Sequence, residues 1–470
     1  MQWLKTDLFI FLVAFVLITL VTFFTQYFSN KSNSAALIGR KILHICTMLI
    51  CAGVVNCVNN QLLLAYIFLA FTFILLYLVN RKLFLFSYSN SLGIPAFAFA
   101  FFVMLVMPIF SKPIIIAAMV ILGISDAAAG LIGKAYGKKS TFLYEEKSFL
   151  GFAVFLVTAW IILMLTFNFN NWLSLFLIAL VLALIELFSW RGLDNFTVPI
   201  MACILMYFIS NNNAIVYIND SLLFVLFGLP LGYFILFKKW LVIPALFAAL
   251  LIGLITVFCL GLKSVLLPFL FLLFGSLLSK LNVKSIEEKN GRTAVQVFAN
   301  GMVATLCAIA FAYSQNKVFL LCFISSYAIS ICDTTSSDIG RFFKGKTIDV
   351  LTLKKTKIGL SGGISLQGSF AGLLGALVIG LVSKLIFGLT ILGSVLIVIT
   401  GFVGMLIDSF LGALLQAKYI DTNNTIGENL SDEVVLFKGY AWCNNNTVNL
   451  LSHIITISIF IVIAYMYNNV

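Results

Sequence analysis

Charge is what this sequence has least of. Asp, Glu, Lys and Arg make up 10% of its 470 residues and hydrophobic residues 62%, where a soluble chain carries roughly 25% charge. A single water-soluble core stops growing at about 250–300 residues, so lipid must serve as the solvent. Fibrous, disordered and disulfide-scaffold classes fall on the same arithmetic. Histidine is nearly absent: His44 and His453 are the only two, which argues against a His-built zinc or di-iron centre. The nine cysteines form no Cys-x-x-Cys pair, and most sit in apolar runs as small hydrophobes do. No small-residue cleavage site follows the first apolar run, so it reads as a retained helix.

Apolar runs are what the chain has most of. A span needs about 20 residues, or 17–25 with tilt, and sixteen stretches between about 8–28 and 448–467 approach or meet that length. The expected fold is all-α, a polytopic integral membrane protein of about 16 transmembrane helices with both termini outside. Two eight-helix bundles are expected, 1–214 and 215–470, divided at the polar stretch Ser210 to Asp220. The run at 197–210 is short for a span, and 389–415 holds Gly401 and Gly404, where a kink is expected.

Lys and Arg exceed Asp and Glu by 12, and 24 of the 29 cations fall in alternate connections. The other side keeps only Lys5, Lys112, Lys263, Lys317 and Lys384. The positive-inside rule then places the long polar connections in the cytoplasm, at a cell inner membrane. Because the cations lie between apolar runs, they do not read as a nucleic-acid surface. The same side holds nearly every Gly-, Asp- and Asn-rich cluster, which suits an enzyme fed by a cytoplasmic solute and a membrane-dissolved partner.

In the first half, Asp126 lies within an apolar span, where a carboxylate is costly and marks a functional site by default. Small residues at 127–130 and Gly133 allow close approach, and Lys134, Gly137, Lys138 and Lys147 supply bare N–H groups and charge for a polyphosphate. Arg40, Lys41 and His44 open the second span, His44 reading equally as a base, a phosphate partner or a packing histidine. Glu186 and then Asp194-Asn195 put carboxylates and an amide at a span's end. The Asp-Asn pair suits Mg²⁺ on substrate phosphates, or an Asx-turn before Pro199.

These pieces, over roughly 35–205, resemble the membrane-embedded CTP-dependent polyprenol kinase family, which includes dolichol kinase and phytol kinase. The matching residues are Arg40-Lys41 with His44, Asp126 to Gly137, Lys147-Ser148 to Gly151, and Asp194-Asn195 with Pro199. Where members often carry Glu in a Lys-Ser-Leu-Glu-Gly block, this chain has Phe149-Leu150, and the carboxylates lie at Glu145 and Glu146.

The second half is denser in polar residues. Arg292, Gln296 and Asn300 recur every fourth residue, as one face of an entering helix would have them. Asp333 and Asp338 are five apart, roughly 140° round a continuous helix, so a metal shared between them wants a broken segment. The loop from Lys354 through Lys355, Lys357, Gly359, Ser361 and Gly363 offers cations and N–H groups to an anion, without the spacing of a P-loop. Asp408 lies in an apolar run, and Asn445 and Asn449 open the last one. A structural polar network between helices is the plainer reading of these groups. No simple sequence repeat links the halves, although in each an Asp-plus-small-residue cluster passes into a Gly- and Lys-rich loop.

From about 238 to 467 the chain closely resembles the phytyl-phosphate kinase family. The residues are Arg292/Gln296/Asn300-Gly301, Asp333 with Ser337-Asp338-Ile-Gly340, Gly359 to Gly368, Asp408-Ser409 and Trp442 to Asn449. Many members have Glu where this chain has Asp338.

Together the resemblances imply a fusion: a prenol phosphorylated to the monophosphate, then to the diphosphate, with CTP or another nucleoside triphosphate and Mg²⁺. Asp126, Asp194, Asp333 and Asp338 are the expected metal ligands and, with His44, the expected catalytic residues. The expected phosphate, nucleotide and substrate groups are Arg40, Lys41, Lys134, Lys138, Lys147 and Asn195, then Arg292, Gln296, Asn300, Lys355, Lys357, Ser361, Asp408, Asn445 and Asn449. A cytidylyltransferase forming a CDP-lipid, which would release pyrophosphate, and a transporter of phosphorylated lipid are the alternatives.

Overall fold

Length and apolarity decide which segments become helices here, and small residues decide how closely they pack. The computed structural model describes residues 2–29, 33–80, 93–138, 147–167, 172–189, 192–210, 217–279, 291–420, 426–428 and 435–466. Those residues are mostly helical, and ten helices are long and apolar enough to cross a membrane, with six shorter apolar ones beside them. The chain divides into two compact units, Met1–Ala214 and Ile215–Val470.

In the first unit the helices are α1 (Gln2–Ser29), α2 (Asn33–Cys57), α3 (Gln61–Asn80), α4 (Gly93–Val106), α5 (Lys112–Tyr136), α6 (Phe149–Thr166), α7 (Trp172–Phe188) and α8 (Asp194–Ser210). The centre is α5, which packs against α2, α6 and α8. Its glycines make that possible. A Cβ at Gly123 would lie 2.8 Å from Met48 Cβ on α2, and one at Gly133 would lie 3.1 Å from Gly151 Cα on α6. Ser148 starts α6 by accepting the Gly151 N–H at 3.1 Å, the N-cap bond that an orphan helix amide needs.

The second unit holds α9 (Ile218–Phe237), α10 (Ile243–Leu260), α11 (Leu266–Leu278), α12 (Ala294–Ser314), α13 (Lys317–Phe343), α14 (Leu366–Phe387), α15 (Ile391–Leu414) and α16 (Asn445–Met466). Here α13 is central, against α12, α14, α15 and α16. Gly401 and Gly404 do not break α15, which runs as one helix. They admit α13 instead: a Cβ at Gly401 would lie 2.9 Å from Ala328 Cβ. Such small-residue seams replace the hydrophobic driving force that lipid removes between helices.

The all-α expectation needs one amendment. The connection after α13 folds into an antiparallel pair, β1 (Thr347–Asp349) with β2 (Gly363–Ser365), Ile348 facing Ile364. The one after α15 forms a three-stranded sheet in the order β4 (Ile426–Gly427), β3 (Lys418–Ile420), β5 (Val435–Lys438). These segments carry isoleucine, valine, phenylalanine and tyrosine, the β-branched and aromatic residues that strands favour.

Candidate functional site

The carboxylate in the middle of α5 has partners on two helices. Lys41 of α2 places Nζ 2.8 Å from Asp126 Oδ2 and 3.2 Å from its carbonyl oxygen. Gly130 makes that reach possible, because a Cβ there would lie 2.6 Å from Lys41 Cε. His44 sets Nε2 3.4 Å from the same Oδ2 and 3.3 Å from the Leu122 carbonyl oxygen. Both neighbours are acceptors, so Nε2 carries a proton and donates it. This arrangement makes His44 a group that holds Asp126, not one that takes a proton through Nε2.

A second lysine and two more carboxylates complete the arrangement. Lys147, just before α6, has Nζ 3.0 Å from Glu186 Oε1 at the end of α7, and it also donates to the Glu186 carbonyl. Asp194 opens α8 and accepts the Asn195 N–H at 3.0 Å. One oxygen each from Asp126, Glu186 and Asp194 lies within 4.8 Å of the others, the one such gathering of three potential ligands among the described residues. Three hard oxygen donors suit Mg²⁺, which binds carboxylates and keeps waters. Lys41 and Lys147 offset the repulsion that three carboxylates would otherwise suffer inside a membrane.

These groups form the polar end of a cavity of about 730 Å³, within the roughly 300–1,000 Å³ of ordinary ligand pockets. Arg40, Lys134 and Asn195 line the same end. The rest is apolar and runs along α1 to α4, past Phe15, Phe68, Phe97 and Phe101. Lys138 stands exposed beyond α5 and is not part of the lining. Glu145 and Glu146 lie outside the described residues. Glu186 supplies the third carboxylate, and its signal was plain: it is the one acid in a helix otherwise built of apolar residues and Ser174.

The second unit corrects three readings. First, α13 runs unbroken through Asp333 and Asp338, so the interruption that a shared metal requires is not there, and Asp338 pairs instead with Arg341 at 2.9 Å. Second, Arg292 precedes α12 and sits in a bridge with Leu241, so it shares no helix face with Gln296 and Asn300. Third, Gln296 closes a capping box: its Oε1 accepts the Thr293 N–H at 2.9 Å while Thr293 Oγ1 accepts from Gln296 N. A Thr-x-x-Gln ahead of an apolar run was the readable sign.

Arg292 is nonetheless unusual. Its guanidinium lies 4.6 Å from the centre of the Phe271 ring, in space that only a glycine at 275 leaves open. Among the described residues it has no ion pair. Burial lowers its pKa to about 10, which still leaves it charged at neutral pH. It lines a smaller cavity of about 150 Å³ whose walls, Phe224, Leu246 and Leu272 among them, are apolar. The buried Tyr327 hydroxyl on the same lining has no hydrogen-bond partner among the described residues.

Deeper in this unit the structure joins several of the remaining candidates. Asn449 Nδ2 donates to Asn300 Oδ1 at 3.4 Å, and Ser452 Oγ lies 3.0 Å from Asp408 Oδ2. Cys332, next to Asp333, and Met405, one turn before Asp408, both pack on Gly372 of α14. His453, which the sequence did not single out, is buried between Ser326 and Ser330, whose hydroxyls lie 2.8 and 3.3 Å from its ring nitrogens. Asn445 is exposed at the start of α16 and does not join them. Lys355 and Lys357 stand exposed between β1 and β2, and Lys357 reaches the Ile426 carbonyl at 3.5 Å. Ser361 contributes backbone: its carbonyl accepts from Lys418 at 2.7 Å, and its N–H donates to Glu428.

Comparison with known proteins bears on the second unit. Residues 226–457 match the family described as integral membrane protein DUF92. The chain is a multi-pass membrane protein. It is 32% identical over 135 residues to the uncharacterized membrane protein MJ0933 of Methanocaldococcus jannaschii, covering 28% of this chain and 56% of that one. Similarity to protein VTE6, chloroplastic, of Arabidopsis thaliana is 28% over 173 residues, covering 34% of this chain and 50% of the relative. The uncharacterized membrane protein sll0875 of Synechocystis is 26% identical over 141 residues, 28% of this chain and 55% of the relative. The chain thus spans about half the length of the curated relatives it matches. No solved structure matches it.

Proposed function

We propose that the chain is an isoprenoid-alcohol kinase working in two steps, the first unit making a prenyl monophosphate and the second a diphosphate, both from a cytoplasmic nucleoside triphosphate such as CTP. The observation that carries the first step is the amphiphilic cavity, apolar along its length and ending on three carboxylates and two lysines. That form suits a long apolar alcohol whose hydroxyl meets a metal-bound polyphosphate. The second step is supported by the residues shared with the phytyl-phosphate kinase family and by the VTE6 match, which favours a phytol-pathway kinase relationship.

In the first step the alcohol oxygen attacks the γ-phosphorus, the bond to the β-phosphate oxygen breaks, and the alcohol proton is released as the nucleoside diphosphate leaves. Asp126, Glu186 and Asp194 would hold Mg²⁺, which when bound neutralises charge on the transferring phosphates. Lys41 pairs with Asp126 and aims it, His44 holds it from the other side, and Lys147 pairs with Glu186 in the same way. Arg40 and Lys134 stand at the same end to receive phosphate oxygens. In the second step a monophosphate oxygen is the nucleophile, and Arg292, which has no ion pair among the described residues, would pair with that anion. The cytoplasmic side of an inner membrane is part of this reading, because the nucleotide is there.

A product assay tests it. Purified protein is given a panel of prenols with labelled CTP or ATP and Mg²⁺. Monophosphate followed by diphosphate is expected, Asp126→Asn failing on the alcohol yet converting supplied monophosphate, and Asp333→Asn accumulating monophosphate. Pyrophosphate release with a CDP-lipid product, or loss of both steps in either folded variant, refutes the assignment.

A further inference from the structure

The two units, unlike in overall sequence, contain the same piece of machinery. In α5 and α6 a Cβ on Gly133 would lie 2.9 Å from Ser148 Oγ and 3.1 Å from Gly151 Cα. In α13 and α14 a Cβ on Gly340 would lie 3.1 Å from Ser365 Oγ and 3.5 Å from Gly368 Cα. The serine caps the second helix in both, accepting the N–H of the glycine three residues on at 3.1 Å and 3.2 Å. That glycine in turn packs on the carbonyl oxygen of the residue four before the first glycine, Ala129 in one unit and Ser336 in the other, at 3.2 and 2.7 Å from a built Cβ. Both first helices end three residues after their glycine, at Tyr136 and Phe343. Both carry an intramembrane aspartate seven residues before it: Asp126 and Asp333. Sequence comparison misses this because the frame consists of four residues a half, and a β-hairpin lengthens the second connection.

In the first unit the next two helices bring Glu186 and Asp194 to that aspartate. The corresponding helices of the second unit, α15 and α16, bring Asp408 and Asn449. Asp408 and Asn449 are both more than nine-tenths buried. Asp408 is held by Ser452, while Asn449 donates through Nδ2 to Asn300 and its Oδ1 has no hydrogen-bond partner among the described residues. Ser452 links the two, donating to Asp408 from one helical turn beyond Asn449. Cys332 and Met405, within a turn of Asp333 and Asp408 along α13 and α15, both pack on Gly372. An unpaired amide oxygen and a buried carboxylate, with an aspartate at the Asp126 position of the shared frame, are oxygen donors that suit a cation.

We propose that the second unit holds its own divalent-cation centre built from Asp333, Asp408 and the Asn449 amide oxygen, the counterparts of Asp126, Glu186 and Asp194, and that Asp338 is no part of it. This rests on the proposed second kinase step for its purpose but not for its geometry. Asp338 belongs to Arg341, on another face of α13. Asn300 positions Asn449, and Ser452 positions Asp408.

Binding of Mn²⁺ alone, followed by the electron paramagnetic resonance of the free ion, tests the centre on the full chain in detergent without nucleotide or lipid. Wild type should hold two ions. Asp408→Asn and Asp126→Asn should each hold one, and Asp338→Asn should keep both. Asn449→Asp restores the three-carboxylate set of the first unit and should tighten the second-unit ion by about tenfold, since ligand charge sets affinity at such sites. Fewer than two ions in wild type, two in Asp408→Asn, one in Asp338→Asn or no tightening in Asn449→Asp overturns the proposal. Two ions with no phosphorylation of a prenyl monophosphate would leave the centre standing and remove the kinase reading instead. Monophosphate turnover in an Asp408→Asn protein that has lost the second-unit ion would do the reverse.

Discussion

The two units solve the same electrostatic problem with different donors. The first gathers three carboxylates and answers them with Lys41 and Lys147, each in contact with one of them. The second has two carboxylates, an amide where the third would be, and no lysine paired with them among the described residues: the residue before the capping serine is Lys147 in one unit and Ile364 in the other. Arg292, without an ion pair among the described residues, lines a small apolar cavity. The difference follows the acceptors proposed for each. A neutral alcohol adds no charge, so three carboxylates can be carried by two lysines and a metal. A monophosphate arrives with negative charge of its own, and replacing a carboxylate by an amide removes repulsion that would oppose it.

The largest effect should come from the pair that has no counterpart in the second unit. Lys147→Ala leaves Glu186 buried without its cation, and breaking such a pair costs about 3–5 kcal/mol. Thermal unfolding in detergent should show a large loss, and alcohol phosphorylation should cease. Adding Glu186→Gln to that variant should restore most of the stability but none of the turnover, because the stranded charge is gone while a metal ligand is lost as well. Recovery of turnover in the double variant would remove Glu186 from the centre.

Arg292→Gln sharpens the comparison from the other side. A hydrogen-bonded pair with a charged group contributes about 1.5–3 kcal/mol, so KM for a prenyl monophosphate should rise by roughly 10- to 150-fold. KM for the alcohol in the first step should stay where it is. A kcat effect with KM unchanged, or an equal effect on both steps, would place Arg292 outside monophosphate binding.

Much of this was legible in the sequence, and what was not has physical reasons. Asp126, Lys41, Lys147 and Asp194 stand out because a charged residue in an apolar run has few structural excuses, and the structure brings all four to one cavity end. Glu186 was visible as an acid at a span's end, but the spacing of residues in a chain cannot say that α7 ends beside α5. The Asp333–Asp338 pair misled for a related reason. Closeness in sequence suggested a shared ligand, while an unbroken helix turns the two apart, and the partner proposed for Asp333, Asp408, comes from a helix about seventy-five residues later. The frame of glycine, serine and glycine common to both units is written in contacts across helices, which residue spacing alone does not display.

The smallest effect concerns Gln296, which its four-residue spacing from Arg292 and Asn300 marked as a binding group. Its side chain instead returns to the Thr293 N–H at 2.9 Å and is exposed at the first turn of α12. Losing a cap costs about 0.5–2 kcal/mol, and the glutamine half of a capping box should fall at the low end, since the threonine bond persists. Gln296→Ala should therefore lower the unfolding temperature slightly, Thr293→Ala somewhat more, and neither should move KM for monophosphate or nucleotide. Gln296→Glu keeps a side-chain acceptor for the same N–H and adds negative charge at a helix N-terminus, so it should be neutral or mildly stabilising. If Gln296 contacted a phosphate instead, that same substitution would set a carboxylate against an anion and raise KM sharply while leaving stability alone. The glutamate variant therefore separates the two roles in a single measurement of each quantity.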